Sequence, residues 1–282
     1  MQSIREKIYS WGYVSDKIPG NVPFVFGQTR CSLETGANYL GAKKAFYMNS
    51  MFSPSVLRTD FPGSDTSCVE TRLSDSHFQL LSGMDEIICT LEHGNYLESA
   101  RRIGELSLRH PNIKGALIDD FNTNAARLLD PAGLRAIRDA LKARNPDLKL
   151  IVVTYSHLSL AEQVKPFAEH LDAVTRWKWT TSQDYWDNID DDLDPLREAV
   201  GGKPIIQGIY IHDFGSDMKC QYPVPMEVFQ KSVATICEKT FSGKLDGFII
   251  PQAGWFCDEK HRGHIQWLKN YIDWFCGTAT VR

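Results

Sequence analysis

Long apolar stretches are missing from this chain. No run of about 18 or more apolar residues occurs, so no membrane-spanning helix is expected. Residues 1–13 lack the apolar centre of a secretory signal, which makes a cytoplasmic location the expectation. Clusters of Lys and Arg are absent and the net charge is −4, which argues against nucleic acid as a partner. The seven cysteines form no C-x-x-C pair, and the chain has no N-x-S/T sequon. Reduced thiols are therefore expected, and a structural zinc site lacks its ligand spacing. No G-x-G-x-x-G or G-x-x-x-x-G-K-[ST] follows any apolar run, so no nucleotide cofactor is expected either.

What is present is the make-up of a globular protein. Of the 282 residues, 43% are hydrophobic and 23% charged, enough to build a sizeable core. Eight short apolar runs punctuate the chain: Ile8–Trp11, Ala45–Asn49, Glu86–Leu91, Gly115–Ile118, Leu150–Tyr155, Ala173–Trp179, Ile205–Ile211 and Gly247–Pro251. Most are rich in β-branched or aromatic residues and read as strands buried on both faces. Helical patterns lie between them, over Asn95–Arg109, Leu160–His170, Pro225–Lys239 and His261–Phe275. The clearest helix start is Asp130-Pro131, a capping carboxylate followed by a proline suited to the first helical position. Strands alternating with helices at roughly 35 residues per unit predict a (β/α)8 TIM barrel of eight parallel strands, one domain over residues 1–282. A doubly wound sheet is the alternative. Residues 52–73 form a long connection after the second strand, placed over the C-terminal face. An acidic run, Asp187 to Asp194, is expected to be a solvated loop before Pro195.

In such a barrel the strand C-termini line one mouth, and there the sequence is chemically dense. Trp11, Asn49, Glu92, His93, Asp119, Asp120, Tyr155, His157, Trp179, Tyr210, His212, Asp213, Gln252 and Trp255 all fall at or just past strand ends. Carboxylates suit acid–base or nucleophilic work at an acetal carbon, and flat aromatic faces suit the C–H face of a sugar ring. Alternation on the third strand turns Ile87, Cys89 and Leu91 towards the helices and Thr90 and Glu92 inward. On the fourth strand Gly115, Leu117 and Asp119 share one face and Ala116, Ile118 and Asp120 the other, so a kink would decide which acid enters the mouth.

The fourth strand, Gly115-Ala116-Leu117-Ile118-Asp119-Asp120-Phe121, reads G-x-x-x-D-D-aromatic and resembles that of the (β/α)8-barrel glycoside hydrolase superfamily. There a glycine opens the strand and a catalytic carboxylate ends it. Trp255 resembles the tryptophan that floors the sugar site in chitinase-type barrels. The D-x-x-D-x-D-x-E motif of those enzymes is not met, and the seventh strand ends in His212-Asp213 rather than Glu, so the resemblance is to the superfamily. It implies Asp119 or Asp120 as one catalytic carboxylate and favours Asp119 by parity. The partner would be Glu92 or Asp213. Trp11, Trp179, Trp255, Tyr155 and Tyr210 would hold the ring of a small carbohydrate, and Asn49, His157, His212 and Gln252 would bond its hydroxyls. No metal is required by this reading. Two alternatives stay open. One is a metal-dependent sugar isomerase, epimerase or lyase using Glu92, Asp120, His157 and His212. The other is a non-catalytic carbohydrate-binding barrel.

Overall fold

Each of the eight apolar runs folds as a strand, and the strands pair in parallel in the order of the sequence. In the computed structural model, residues 2–14, 31–48, 73–121, 129–157, 159–179, 182–213, 222–250, 253–278 and 280–281 are described. The strands are β1 (Ile8–Gly12), β2 (Lys44–Tyr47), β3 (Glu86–Thr90), β4 (Ile113–Ile118), β5 (Lys149–Tyr155), β6 (Ala173–Trp177), β7 (Ile205–Gly208) and β8 (Gly247–Ile250). β8 pairs with β1, with Phe248 opposite Ile8 and Ile250 opposite Ser10, and this closes the barrel. The chain is a single (β/α)8 barrel.

The continuous apolar character of the strands follows from burial on two sides. Ile8, Ala45, Ile87, Cys89, Ala116, Ile118, Val152, Val174 and Phe248 pack outward under the helices. Tyr9, Trp11, Phe46, Ile88, Leu117, Val153, Trp177 and Ile249 fill the interior. Ile87, Cys89 and Leu91 thus face the helices as alternation predicts. The interior is unusually aromatic. Trp11 stacks on Phe46 with centroids 5.4 Å apart and meets the edge of Trp177 at 5.4 Å. Gly208 makes room for Trp177, because a Cβ there would lie 2.0 Å from the indole ring. At the opposite, N-terminal end the floor is ionic. Glu86 bonds Lys44 at 3.1 Å and Lys149 at 3.0 Å. Burial pushes the Glu86 carboxyl up, but the two ammonium groups outweigh it and hold the group below its ordinary value.

Helices α1 (Leu33–Leu40), α2 (Asp75–Leu80), α3 (Tyr96–Leu106), α4 (Pro131–Lys142), α5 (Leu160–Val164), α6 (Gln183–Asp187), α7 (Asp190–Ala199), α8 (Met226–Phe241) and α9 (Arg262–Thr278) cover the barrel. A 3-10 turn, Lys165–His170, extends α5. Asp130 caps α4 as expected, accepting the Gly133 amide at 2.7 Å. The acidic run departs from expectation. Asp190–Ala199 is helical, not a loop. Asp190, Asp191 and Asp192 sit in the first turn, where the helix dipole favours them, and two of the three have ion-pair partners. Asp190 takes Lys239 and Lys244, each at 2.7 Å, and Asp192 takes the buried Arg176. No described helix is long and apolar enough to cross a membrane. Nearly all of the long connection after β2 lies outside the described residues, which resume at Leu73.

Candidate active site

The end of β4 carries the two acids. Leu117 faces the barrel interior while Ala116 and Ile118 face the helices, so Asp119 continues the inward parity. Asp119 is 5% exposed. The next residue breaks the alternation. Asp120 has φ +51°, the one non-glycine in the left-handed region among the described residues, a conformation that costs roughly 1–3 kcal/mol and concentrates at functional sites. The kink takes Asp120 out of strand parity and towards Tyr155. The Asp120 amide donates to Asp119 Oδ1 at 2.9 Å, and Asp120 Oδ1 accepts the hydroxyl of Tyr155, at the end of β5, at 2.6 Å. The two acids are therefore joined to each other and to the end of β5.

Their environments differ. Burial, with the adjacent Asp120 charge adding to it, raises the Asp119 carboxyl well above its ordinary value, and the Asp120 amide only partly offsets this. Asp119 is thus biased towards its protonated form. Buried phenols line the same region. Tyr155 and Tyr210 are hydrogen-bonded to each other, and burial raises both hydroxyls far above the usual tyrosine range. Trp179 meets Tyr155 and Tyr210 edge-on, at 6.2 and 5.6 Å, and Trp177 meets Tyr210 at 5.1 Å. Trp179 and Tyr210 remain partly exposed.

After β3, His93 and Tyr96 complete the acid side. Their Nδ1 and hydroxyl lie 3.0 Å apart. Burial lowers the His93 imidazole and the Asp120 charge opposes this, while Tyr96 is pushed up to about 12 by burial and by both acids. Tyr96 is a neighbour of both acids that alternation along strands could not find, because it opens α3 rather than ending a strand. Glu92 is half-buried; its carboxylate accepts Asn95 Nδ2 at 3.3 Å and its amide donates to Ser99.

The other mouth candidates are more scattered. Trp11 is 5% exposed, within the interior aromatic stack. His157 is half-buried, with Nδ1 3.1 Å from the Ser159 hydroxyl. His212 stacks on Trp255, with centroids 3.9 Å apart and planes 6° from parallel, and its Nδ1 lies 2.9 Å from His261 Nε2. Both are 2% exposed, so one Trp255 face is covered by imidazole. Asp213 pairs with Tyr222 in a two-stranded antiparallel ribbon, His212–Asp213 with Tyr222–Pro223. Asn49 and Gln252 lie outside the described residues. Arg176, on β6, is wholly buried under α7 against Asp192. Among the described residues, no three His, Cys, Asp or Glu side chains gather as metal ligands.

No protein-family model matches the chain. No curated protein matches it in sequence. Solved structures do match in fold. A candidate α-L-fucosidase from Bacteroides thetaiotaomicron superposes with a TM-score of 0.61 at 11% identity, covering 98% of this chain and 95% of the other. A glycoside hydrolase family 17 β-1,3-glucanosyltransferase from Rhizomucor miehei gives 0.54 at 15%, covering 88% and 86%. The tryptophan synthase α-subunit of Pyrococcus furiosus gives 0.54 at 10%, covering 98% and 100%. At these identities the likeness is one of architecture: the chain is similar, over nearly its whole length, to (β/α)8 barrels that include carbohydrate-active enzymes.

Proposed function

We propose that the protein is a glycoside hydrolase or a closely related carbohydrate-active enzyme, acting at the C-terminal mouth of the barrel on a small carbohydrate. The observation that carries the reading is the split pair at the end of β4. A buried Asp119, its carboxyl raised well above the ordinary value, adjoins an Asp120 whose Oδ1 accepts a phenol, beside partly exposed aromatic rings. Carboxylates whose environments drive them apart are how a glycosidase keeps one group as proton donor while another stays anionic.

In this proposal Asp119 stores the proton delivered to the departing oxygen. Asp120, aimed by Tyr155, stabilises positive charge developing on the sugar. Glu92 serves as the second flank, because β3 and β4 are hydrogen-bonded neighbours and His93, the residue after Glu92, already feels the Asp120 charge. Asp213, beyond β7, is the less direct partner. Trp179 and Tyr210 offer exposed ring area for the sugar face, while the covered face of Trp255 makes it a weaker platform. The isomerase alternative would need a ligand set, and none assembles among the described residues.

The test is turnover on a panel of aryl glycosides by the wild type and by Asp119→Asn and Asp120→Asn, both near-isosteric. At least one variant should lose about a thousandfold or more in kcat, because a proton transfer or a charge interaction made in the transition state is removed. Wild-type turnover in both variants would remove β4 from the mechanism, and no turnover of any glycoside by the wild type would sink the reading.

A further inference from the structure

The barrel closes by setting β8 beside β1, so the connections that follow these two strands leave it side by side although they come from opposite ends of the chain. Each carries a cysteine. Cys31 immediately precedes Ser32, which caps α1 by accepting the Thr35 amide at 3.4 Å, and the Leu33 amide donates to Tyr13 O at 2.7 Å. Cys257 follows the 3-10 turn Ala253–Trp255 and is held by flanking backbone bonds, Phe256 N to Ala253 O at 3.0 Å and Asp258 N to Trp255 O at 3.2 Å. The two segments are pressed together. A Cβ on Gly36 of α1 would lie 2.8 Å from the Ala253 Cβ and 3.3 Å from the Phe256 ring. The Cys31 thiol, which donates to Ser32 O at 3.9 Å, lies close enough to Cys257 to feel its side chain.

We propose that Cys31 and Cys257 are a redox-active pair that closes to an intramolecular disulfide on exposure to a low-molecular-weight disulfide, stapling the first and last loops of the barrel at its mouth. Cys257 is exposed and Cys31 half-buried, so the reagent meets Cys257 first. The Cys257 thiolate attacks one sulfur of the reagent, forms a mixed disulfide and releases one thiolate, which takes up a proton. Cys31 then gives up its proton and attacks the Cys257 sulfur, the protein disulfide forms, and the second thiol leaves. Two electrons pass from the cysteine sulfurs to the reagent, and the two cysteine protons end on the two released thiols. Burial and the nearby Cys257 and Glu34 push the thiol of Cys31 in the reduced protein up to about 12, which leaves Cys257 as the first to attack. Cys89 and Cys237 are buried and closed to the reagent.

The experiment treats the full chain with oxidised glutathione at neutral pH, blocks remaining thiols with N-ethylmaleimide, and maps peptides without reduction. The free-thiol count should fall by two from its starting seven, a Cys31–Cys257 peptide should appear, and dithiothreitol should reverse both changes. Cys31→Ser should stop at a single glutathione on Cys257, and Cys257→Ser should form no cross-link to Cys31. A wild type that retains glutathione on Cys257 with Cys31 still free would overturn the proposal. So would a bond joining either residue to Cys68, Cys220 or Cys276.

Discussion

Replacing Asp192 by alanine should unfold the protein at a much lower temperature, although the residue belongs to a run that reads as surface charge. The Arg176 side chain is 0% exposed and that of Asp192 only 15%. The neutral contacts of the guanidinium are Gln207 Oε1 at 2.5 Å, the Ile189 carbonyl at 3.3 Å and the Tyr185 ring at 5.5 Å, and the Asp190 charge, itself taken up by Lys239 and Lys244, compensates it only in part. Ser156 also donates to Asp192 and would lose that acceptor. Removing one half of a buried pair leaves an uncompensated charge and costs roughly 3–5 kcal/mol. For a chain of this length each kcal/mol lowers Tm by about 2 °C, so the fall should be about 6–10 °C. Asp194→Ala is the control. Asp194 lies 3.9 Å from Lys244 with both side chains largely in solvent, and such a pair is worth about 1 kcal/mol or less. Circular-dichroism melts at low and high salt read the difference. The Asp192→Ala deficit should persist in salt, because a buried pair is little screened. The double variant Arg176→Met, Asp192→Leu should recover most of the loss, since no charge is then stranded. If Asp192→Ala melts within 2 °C of Asp194→Ala (roughly the 1 kcal/mol allowed for an exposed pair), the buried-pair argument is wrong.

Further expectations concern the mouth and the interior. The raised Asp119 carboxyl binds its proton more tightly folded than unfolded. Its contribution to stability is therefore full below about 3.8, the ordinary carboxylate value, and is lost as pH climbs towards the elevated folded value. Asp119→Asn should remove that slope, so the Tm difference between variant and wild type should move in the variant's favour from pH 4 upward; movement the other way would contradict the assigned environment. Tyr155→Phe removes the phenol that donates to Asp120 at 2.6 Å. A hydrogen bond to a charged group is worth about 1.5–3 kcal/mol, so kcat should fall roughly 10–100-fold with KM little changed, and a change confined to KM would argue for a binding role. Gly208→Ala places a methyl 2.0 Å from the Trp177 ring. Overpacking of this kind costs about 1–3 kcal/mol and should shift tryptophan emission, whereas an unchanged melt would mean that the ring has room to move.

Much of the architecture is legible in the residues themselves. Strands buried on both faces must be apolar throughout, which is why eight short runs separated by amphipathic segments read as a barrel, and why Asp130-Pro131 marks a helix start without any tertiary information. The two-residue period also turned Ile87 and Cys89 outward and put Leu117 and Asp119 on one face, which the resemblance to barrel glycosidases, not the period, placed inward. Alternation fails where the backbone stops being extended. Asp120 enters the left-handed region, so its side chain no longer obeys strand parity, and only the folded chain showed its carboxyl taken up by the Tyr155 hydroxyl. Charge patterning failed for a different reason. Whether an aspartate is solvated depends on what packs against it, and Arg176, which lies under α7, is distant in sequence from Asp192. Tyr96 on α3, the covered face of Trp255 and the meeting of Cys31 with Cys257 were likewise settled by tertiary structure. Local pattern sets which way a strand residue points, but the contacts between loops follow from the order in which the barrel closes, and that is a long-range property of the whole chain.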